Sequence, residues 1–231
     1  MTSRKTTQAR RPKQKKRTNS SASKRPASLD SSQKILTIVA ETDHYVVVDK
    51  PALFDSQNSK SGRDSVVDWL NGRYGYSGLV HRLDFGTSGL LVCAKTPESA
   101  NKLTKQMTDG LINRTYLCVT FGRLPADQGE FTDLIDGKPA ATRFKVLERF
   151  PNATLTEVVL DTGRKHQIRR HFAQAGHPLL GDHLYKSKGS DRLFHRPALH
   201  ARKLCIENQE YTSPLPEDLE SLLSKLRAIR S

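Results

Sequence analysis

A single carboxylate stands among cations in the stretch Val80-His81-Arg82-Leu83-Asp84-Phe85-Gly86-Thr87-Ser88-Gly89-Leu90-Leu91-Val92. A carboxylate held at a strand-to-strand bend with cations around it stays ionised and can be aimed at an electron-poor carbon. The residues alone also permit a plainer reading, in which Asp84 satisfies its own turn and Arg82 is a solvated surface charge. A second basic block, Gly163-Arg164-Lys165-His166-Gln167-Ile168-Arg169-Arg170-His171, lies 79 residues further on. His166, His171, His177 and His183, together with Asp182, invite a metal reading. That reading is weak, because no two histidines lie at i, i+4 with a glutamate between them. Cys93, Cys118 and Cys205 show no CxxC or Cys/His zinc spacing, and each falls in an apolar run, which predicts buried reduced thiols. No Gly-rich phosphate loop or dinucleotide fingerprint is present, so no nucleotide cofactor is expected.

These groups must be positioned by short strands and a few helices. Asp43 to Asp49 and Gly89 to Lys95 are apolar or β-branched runs bounded by turn residues, and read as strands. Thr96-Pro97 starts a helix with a capping hydroxyl and a proline at the first position; Ala100, Leu103 and Met107 form its stripe and Gly110 ends it. Arg114 to Phe121 alternates, with Tyr116, Cys118 and Thr120 on one face and Leu117, Val119 and Phe121 on the other. Further strands are expected near Thr142 to Glu148 and Thr154 to Asp161, and a helix over His166 to Ala175, closed by Gly176. Pro216 to Ile229 carries Leu219, Leu222, Leu223, Leu226 and Ile229 at helical spacing. Strands with occasional helices, without regular βα alternation, predict an α+β domain around a mixed, largely antiparallel central sheet with flanking helices.

The 231 residues suffice for a real hydrophobic core. Lys and Arg number 38 against 24 acids, a net charge of +14, which favours a polyanionic partner. Ten of those fourteen excess charges lie in residues 1–29, which contain no acid. Residues 1–33 are too poor in apolar side chains to offset their ordering entropy and are expected to be a disordered basic tail preceding a domain over residues 34–231. Such a tail can be an RNA-attracting arm, a solubilising segment or an organelle signal, although it lacks an amphipathic face. No apolar stretch approaches the roughly 20 residues that span a bilayer, and no secretory signal core is present. The expectation is a soluble, cytoplasmic protein.

The motifs together resemble the RluA-type RNA pseudouridine synthases. His81 to Gly89 is similar to the family's HRLD-x-x-TSG signature. Ile38 to Glu41 and Val46 to Pro51 look like its opening strand pair, ending in Lys50-Pro51. Arg114-Thr115-Tyr116-Leu117, the Gly163–His171 block, Gly176-His177-Pro178, Gly181-Asp182, Leu199-His200-Ala201 and Pro214-Leu215-Pro216 follow in the family's order. The resemblance spans roughly residues 35 to 219. Two positions depart from it: Phe85 stands where a polar residue is usual, and Asp49 precedes Lys50 where Asn is common.

This resemblance implies a single catalytic domain with a cleft across its sheet, no preceding RNA-binding domain, and conversion of uridine to pseudouridine in structured ribosomal or transfer RNA. The N1–C1′ bond breaks, the uracil turns, and C1′ rejoins at C5, with no atom gained or lost, so no cofactor or metal is implied. Asp84 is the implied catalytic carboxylate, acting through a sugar adduct or a glycal. Tyr116 is implied as the residue that stacks on the uracil and, if ionised, acts as a base; otherwise it is one of several aromatics packing the sheet. Arg169 is implied as the partner of the carboxylate, with Ile168 as an apolar wall. Arg82 would fill the place of a flipped-out nucleotide, and His81 would orient the loop. Arg164, Lys165 and Arg170 are candidates for phosphate contact. The implied enzyme is a monomer. A different class is also open: a non-catalytic RNA-binding protein or RNA chaperone on the same fold.

Overall fold

The computed structural model describes residues 36–57, 63–186 and 193–229, which belong to one compact unit. The tail expected over residues 1–33 lies outside the described residues. Central strands come from uninterrupted apolar runs, because a strand covered on both faces has no polar side to show. β2 (Tyr45–Lys50) and β4 (Ser88–Ala94) are of this kind: Val46 and Val48 enter one core cluster, Val47 the opposite one. β1 (Thr37–Glu41) pairs with β2, and β3 (Gly78–Leu79) with β4.

The strand order is β1-β2-β4-β9-β5-β8-β7-β6, with β3 and β10 as side branches. Here β5 is Asn113–Phe121, β6 Gln128–Phe131, β7 Thr142–Arg149, β8 Ala153–Leu160, β9 Leu199–Ile206 and β10 Gln209–Thr212. All pairings are antiparallel except β4 with β9, which join in parallel at Ser88↔His200 and Gly89↔Ala201. The sheet is therefore mixed and largely antiparallel, as expected. That one parallel contact sits where the chain leaves the Asp84 loop. Gly89 has φ 108, and a Cβ there would lie 2.3 Å from the Ala201 carbonyl oxygen, so the close approach requires glycine.

Helices cover both faces. α1 (Val66–Tyr74) and α3 (Gln167–Gln174) press Val66, Leu70, Ile168 and Phe172 onto the face that carries Tyr116 and Cys118. α2 (Pro97–Thr108) covers Val47, Leu90 and Val92 on the other side, and α4 (Glu217–Ala228) covers Val119 and Leu155. Thr96 caps α2 as expected, in a reciprocal box with Ser99. α3 is one residue shorter at each end than expected. Ile229 follows the last turn of α4 and is 55% exposed, so it is not part of the buried stripe. α1, β3, β6, β9 and β10 were not anticipated. β6 and β10 are four residues long and mostly polar, too short to show an alternation.

Candidate active site

Four anchors fix the loop that carries Asp84. Leu83 is buried in the core; its N–H donates to Ser56 Oγ at 3.2 Å, and its carbonyl accepts from the same hydroxyl at 2.7 Å. The Asp84 carbonyl accepts from Thr87 N–H at 3.0 Å, closing the turn. Arg196, 1% exposed, donates through Nη1 to the Gly86 carbonyl at 3.0 Å, while Nε and Nη2 grip Asp218 of α4 at 2.7 and 2.8 Å. The Gly86 backbone packs so closely on Pro197 that a Cβ would come within 2.8 Å of its ring. With Leu83 pinned inward, its neighbour Asp84 is turned outward.

The Asp84 carboxylate, 17% exposed as a side chain, accepts from Arg169 Nη1 at 3.0 Å. Arg169 reaches it from the buried face of α3, beside Ile168 and Phe172. The other edge of the guanidinium is held by Asp182, Nε to Oδ2 at 2.7 Å and Nη2 to Oδ1 at 2.9 Å. Asp182 is itself closed from solvent and accepts from the backbone N–H groups of Leu184 and Tyr185. Burial opposes its charge, but Arg169 outweighs burial and holds the Asp182 carboxyl below its usual range. Burial likewise opposes the Arg169 cation, and the hydrogen bonds it donates to Asp182 and Asp84 more than restore it. A planar donor clamped this way fixes the direction of the second carboxylate.

His166, at the entry of α3 with φ 56, completes the cluster. Its Nε2 lies 3.6 Å from Asp84 Oδ1, and its Nδ1 is 3.0 Å from the Tyr185 hydroxyl. Burial first, and the Arg169 and Lys165 charges with it, push this imidazole below its ordinary value despite Asp84. Tyr185 also lies under the Arg169 guanidinium, 5.2 Å from ring centroid to Cζ.

Asp84, Arg82, Gln57, Lys165 and His166 line two adjoining clefts, of about 660 and about 580 Å³. Tyr116 lies in the second with His81 and Arg114, and borders a smaller recess with Ile168, Leu160 and Asp84. Tyr116 is buried, and burial raises its phenol above the ordinary value against the pull of Arg114, so at neutral pH it is a neutral ring. Its hydroxyl makes no hydrogen bond to the described residues. Arg82 is exposed and donates to Gln57 Oε1 at 3.0 Å. The His81 ring is turned inward and accepts from Val92 N–H through Nε2 at 3.1 Å. Arg164 donates to the Pro139 carbonyl at 3.0 Å and Arg170 to Asp136 at 2.9 Å. Lys165 lines both clefts with Asp84. Phe85 is 37% exposed at the rim, with the Arg63 guanidinium 4.5 Å above its ring.

Among the described residues no three His, Cys, Asp or Glu side chains converge as metal ligands. His171 bonds Thr142 and the Asp133 carbonyl, and His177 the Phe121 carbonyl. Cys93 and Cys118 are buried free thiols, whereas Cys205 is only partly covered. Among the described residues no helix is long and apolar enough to cross a membrane.

The sequence pattern described as RNA pseudouridylate synthase matches residues 44–174, a span that contains Asp84, Tyr116 and Arg169. The chain belongs to that family. Its relatives place it among the RluA-type pseudouridine synthases. A ribosomal large subunit pseudouridine synthase D of Nitrosomonas europaea is 34% identical over 83% of this chain and 65% of its own length. The namesake from Pseudomonas aeruginosa is 35% identical over 84% and 73%. A dual-specificity RNA pseudouridine synthase RluA of Pasteurella multocida is 36% identical over 77% of this chain and 91% of its own. The chain thus spans about two thirds of the length of the first of these relatives. The human RNA pseudouridylate synthase domain-containing proteins 4 and 1 share the pseudouridine synthase fold, with TM-scores of 0.69 and 0.68 over 83% and 87% of this chain, at 22% and 23% identity.

In this pseudouridine synthase fold the helix register brings Asp84, Arg169 and Ile168 together, and the sheet adds Tyr116. Sequence reasoning gave Asp182 only a weak metal-ligand reading, and gave no role to Tyr185, Arg196 or Arg114. Asp182 and Tyr185 stood in or near a recognised Gly-Asp motif, but nothing local shows which cation they meet. Arg196, followed by proline, carries no sign of its burial.

Proposed function

We propose that this chain isomerises uridine to pseudouridine in structured RNA, ribosomal or transfer, with Asp84 acting at C1′ of a flipped-out nucleotide. The observation that carries this reading is the Asp84 carboxylate at the meeting point of two clefts, 3.0 Å from a guanidinium anchored by a second, buried carboxylate. Family membership and relatives named for this activity support it. Because Arg169 is shared between two carboxylates, Asp84 is oriented without being fully neutralised and keeps its capacity to attack. Tyr116 and Ile168 form the walls against which the uracil packs. Arg82 at the rim takes the place of the extruded base, a step that costs a few kcal/mol of stacking. Arg164 and Lys165 receive phosphates, and His81 fixes the loop through Val92. On this reading the enzyme is a cytoplasmic monomer that needs no nucleotide cofactor.

The test uses Asp84→Asn, which keeps shape and removes charge. Unmodified transcripts of bacterial large-subunit ribosomal RNA and of transfer RNAs are incubated with each protein, and pseudouridine is mapped by carbodiimide-blocked reverse transcription. Wild type should introduce pseudouridine, and the Asn variant should lose at least about a thousandfold in rate while binding RNA within about threefold. An Asn variant with full activity refutes the role of Asp84. Tight RNA binding with no modification by wild type favours the non-catalytic RNA-binding reading instead.

A further inference from the structure

Arg114 is the one buried cation of the cleft that the roles above leave unused. It is 8% exposed, and among the described residues it has no carboxylate partner. Its only hydrogen bond among the described residues is a long one, Nη2 to the Thr162 carbonyl at 3.4 Å, and Nε has no partner among them although it is shut off from solvent. Asp161, on the same cleft wall, is already taken by Arg143 at 2.6 and 2.9 Å. A buried, unpaired guanidinium is costly and is retained where a ligand supplies the missing negative charge. Position selects the ligand. Arg114 and Tyr116 stand two apart on β5, so both side chains leave the same face of the sheet, next to each other. Gly163 makes room for the group, since a Cβ there would lie 3.1 Å from Arg114 Nη1.

A second unmet donor lines the same cleft. His81 accepts from Val92 N–H through Nε2, so its ring proton sits on Nδ1, and that atom has no partner among the described residues. Burial, reinforced by Arg114, pushes this histidine down to about 3, so it stays a neutral donor.

We propose that Arg114 is a catalytic residue for the leaving base: it holds the negative charge that collects on the uracil ring when the N1–C1′ bond breaks, with His81 Nδ1–H as a second donor to the same ring. This rests on the reading of Asp84 given above. When Asp84 attacks C1′, or removes a C2′ proton, the bonding pair of N1–C1′ passes to N1 and spreads over the ring carbonyls. Arg114 keeps its proton throughout and stabilises this anion electrostatically. On rejoining, a ring electron pair forms the C5–C1′ bond, the adduct or glycal is resolved, C5 loses its proton and N1 gains one, so nothing is consumed. A phosphate contact at Arg114 would instead act on ground-state binding.

The experiment compares wild type, Arg114→Lys and Arg114→Gln on the large-subunit ribosomal RNA transcript. Arg114→Gln should lower kcat about a hundredfold or more with KM within about threefold, as removal of a donor to a developing anion does; the Lys variant should recover about tenfold of that loss. A raised KM with unchanged kcat, or no loss at all, overturns the proposal. A second arm needs no RNA target: spectral titration with 5-nitrouracil, a uracil already ionised at neutral pH. Wild type and Asp84→Asn should bind it alike, and Arg114→Gln at least about tenfold more weakly. Equal binding by wild type and Arg114→Gln, or no binding by wild type, refutes the anion site. Should the 5-nitrouracil result hold while no RNA is modified, the activity reading fails and the anion site stands.

Discussion

Replacing Asp182 with asparagine tests whether the Asp84 carboxylate depends on a partner that never faces the cleft. Asp182 is wholly buried, receives two hydrogen bonds from Arg169, and accepts two more from the backbone. Asparagine retains one carbonyl oxygen but brings an NH2 group that must confront either the guanidinium or a backbone N–H. Breaking one side of a buried ion pair costs about 3–5 kcal/mol, against a total stability of about 5–15 kcal/mol for a domain. With an m-value of about 2 kcal/mol/M in urea, the midpoint should fall by about 2 M. The variant should remain folded in buffer, yet with Arg169 free to swing, pseudouridine formation should drop by about tenfold or more. The pH dependence has a definite sign. The carboxyl of Asp182 is held below its usual range by Arg169 against burial. Its contribution is therefore fully present above the unfolded value of about 3.9, and is lost as pH falls through the lower folded value. Urea titrations followed by circular dichroism at pH 7 and at pH 3 read both effects: the two proteins should differ strongly at the first and converge toward the second. A midpoint shift below about 0.5 M at pH 7, or a gap that does not narrow in acid, would refute the reasoning.

Gly89→Ala should cost about 3 kcal/mol or more, because φ is 108 and the added Cβ meets the Ala201 backbone at 2.3 Å. Gly72→Ala, on α1 with open space around the added methyl, should instead gain about 0.5–1 kcal/mol; thermal melts of both proteins check the contrast, and equal effects would contradict it. His200 is buried at the β4–β9 junction against Ser88, and burial pushes its imidazole down to about 4. The unfolded chain takes up a proton near pH 6.5 that the folded chain refuses, so stability should fall between about pH 6.5 and 4, with a slope from this group approaching 1.4 kcal/mol per pH unit, roughly. Urea titrations across that window should give a shallower slope for His200→Gln, and an unchanged slope would remove His200 as the cause.

Much of this molecule is legible along the chain. The apolar runs of β2 and β4, the capped start of α2, the alternation of β5 and the leucine stripe of α4 are local patterns. Short-range sterics, capping and side-chain periodicity produce them, so sequence determines them directly. The spaced motifs likewise single out Asp84, Tyr116 and Arg169 by kind and order. What sequence leaves open is every relation that crosses the fold. Asp182 meets Arg169 because the turn after Gly181 folds back beneath α3, and Arg196 steadies Gly86 across 110 residues only because α4 presents Asp218 behind it. The parallel β4–β9 join, the orphaned Nε of Arg114 and the depressed imidazoles of His81 and His166 also exist only after packing. A side chain's hydrogen-bond partners and its desolvation are set by whatever surrounds it in three dimensions, and residue type and spacing carry no record of that.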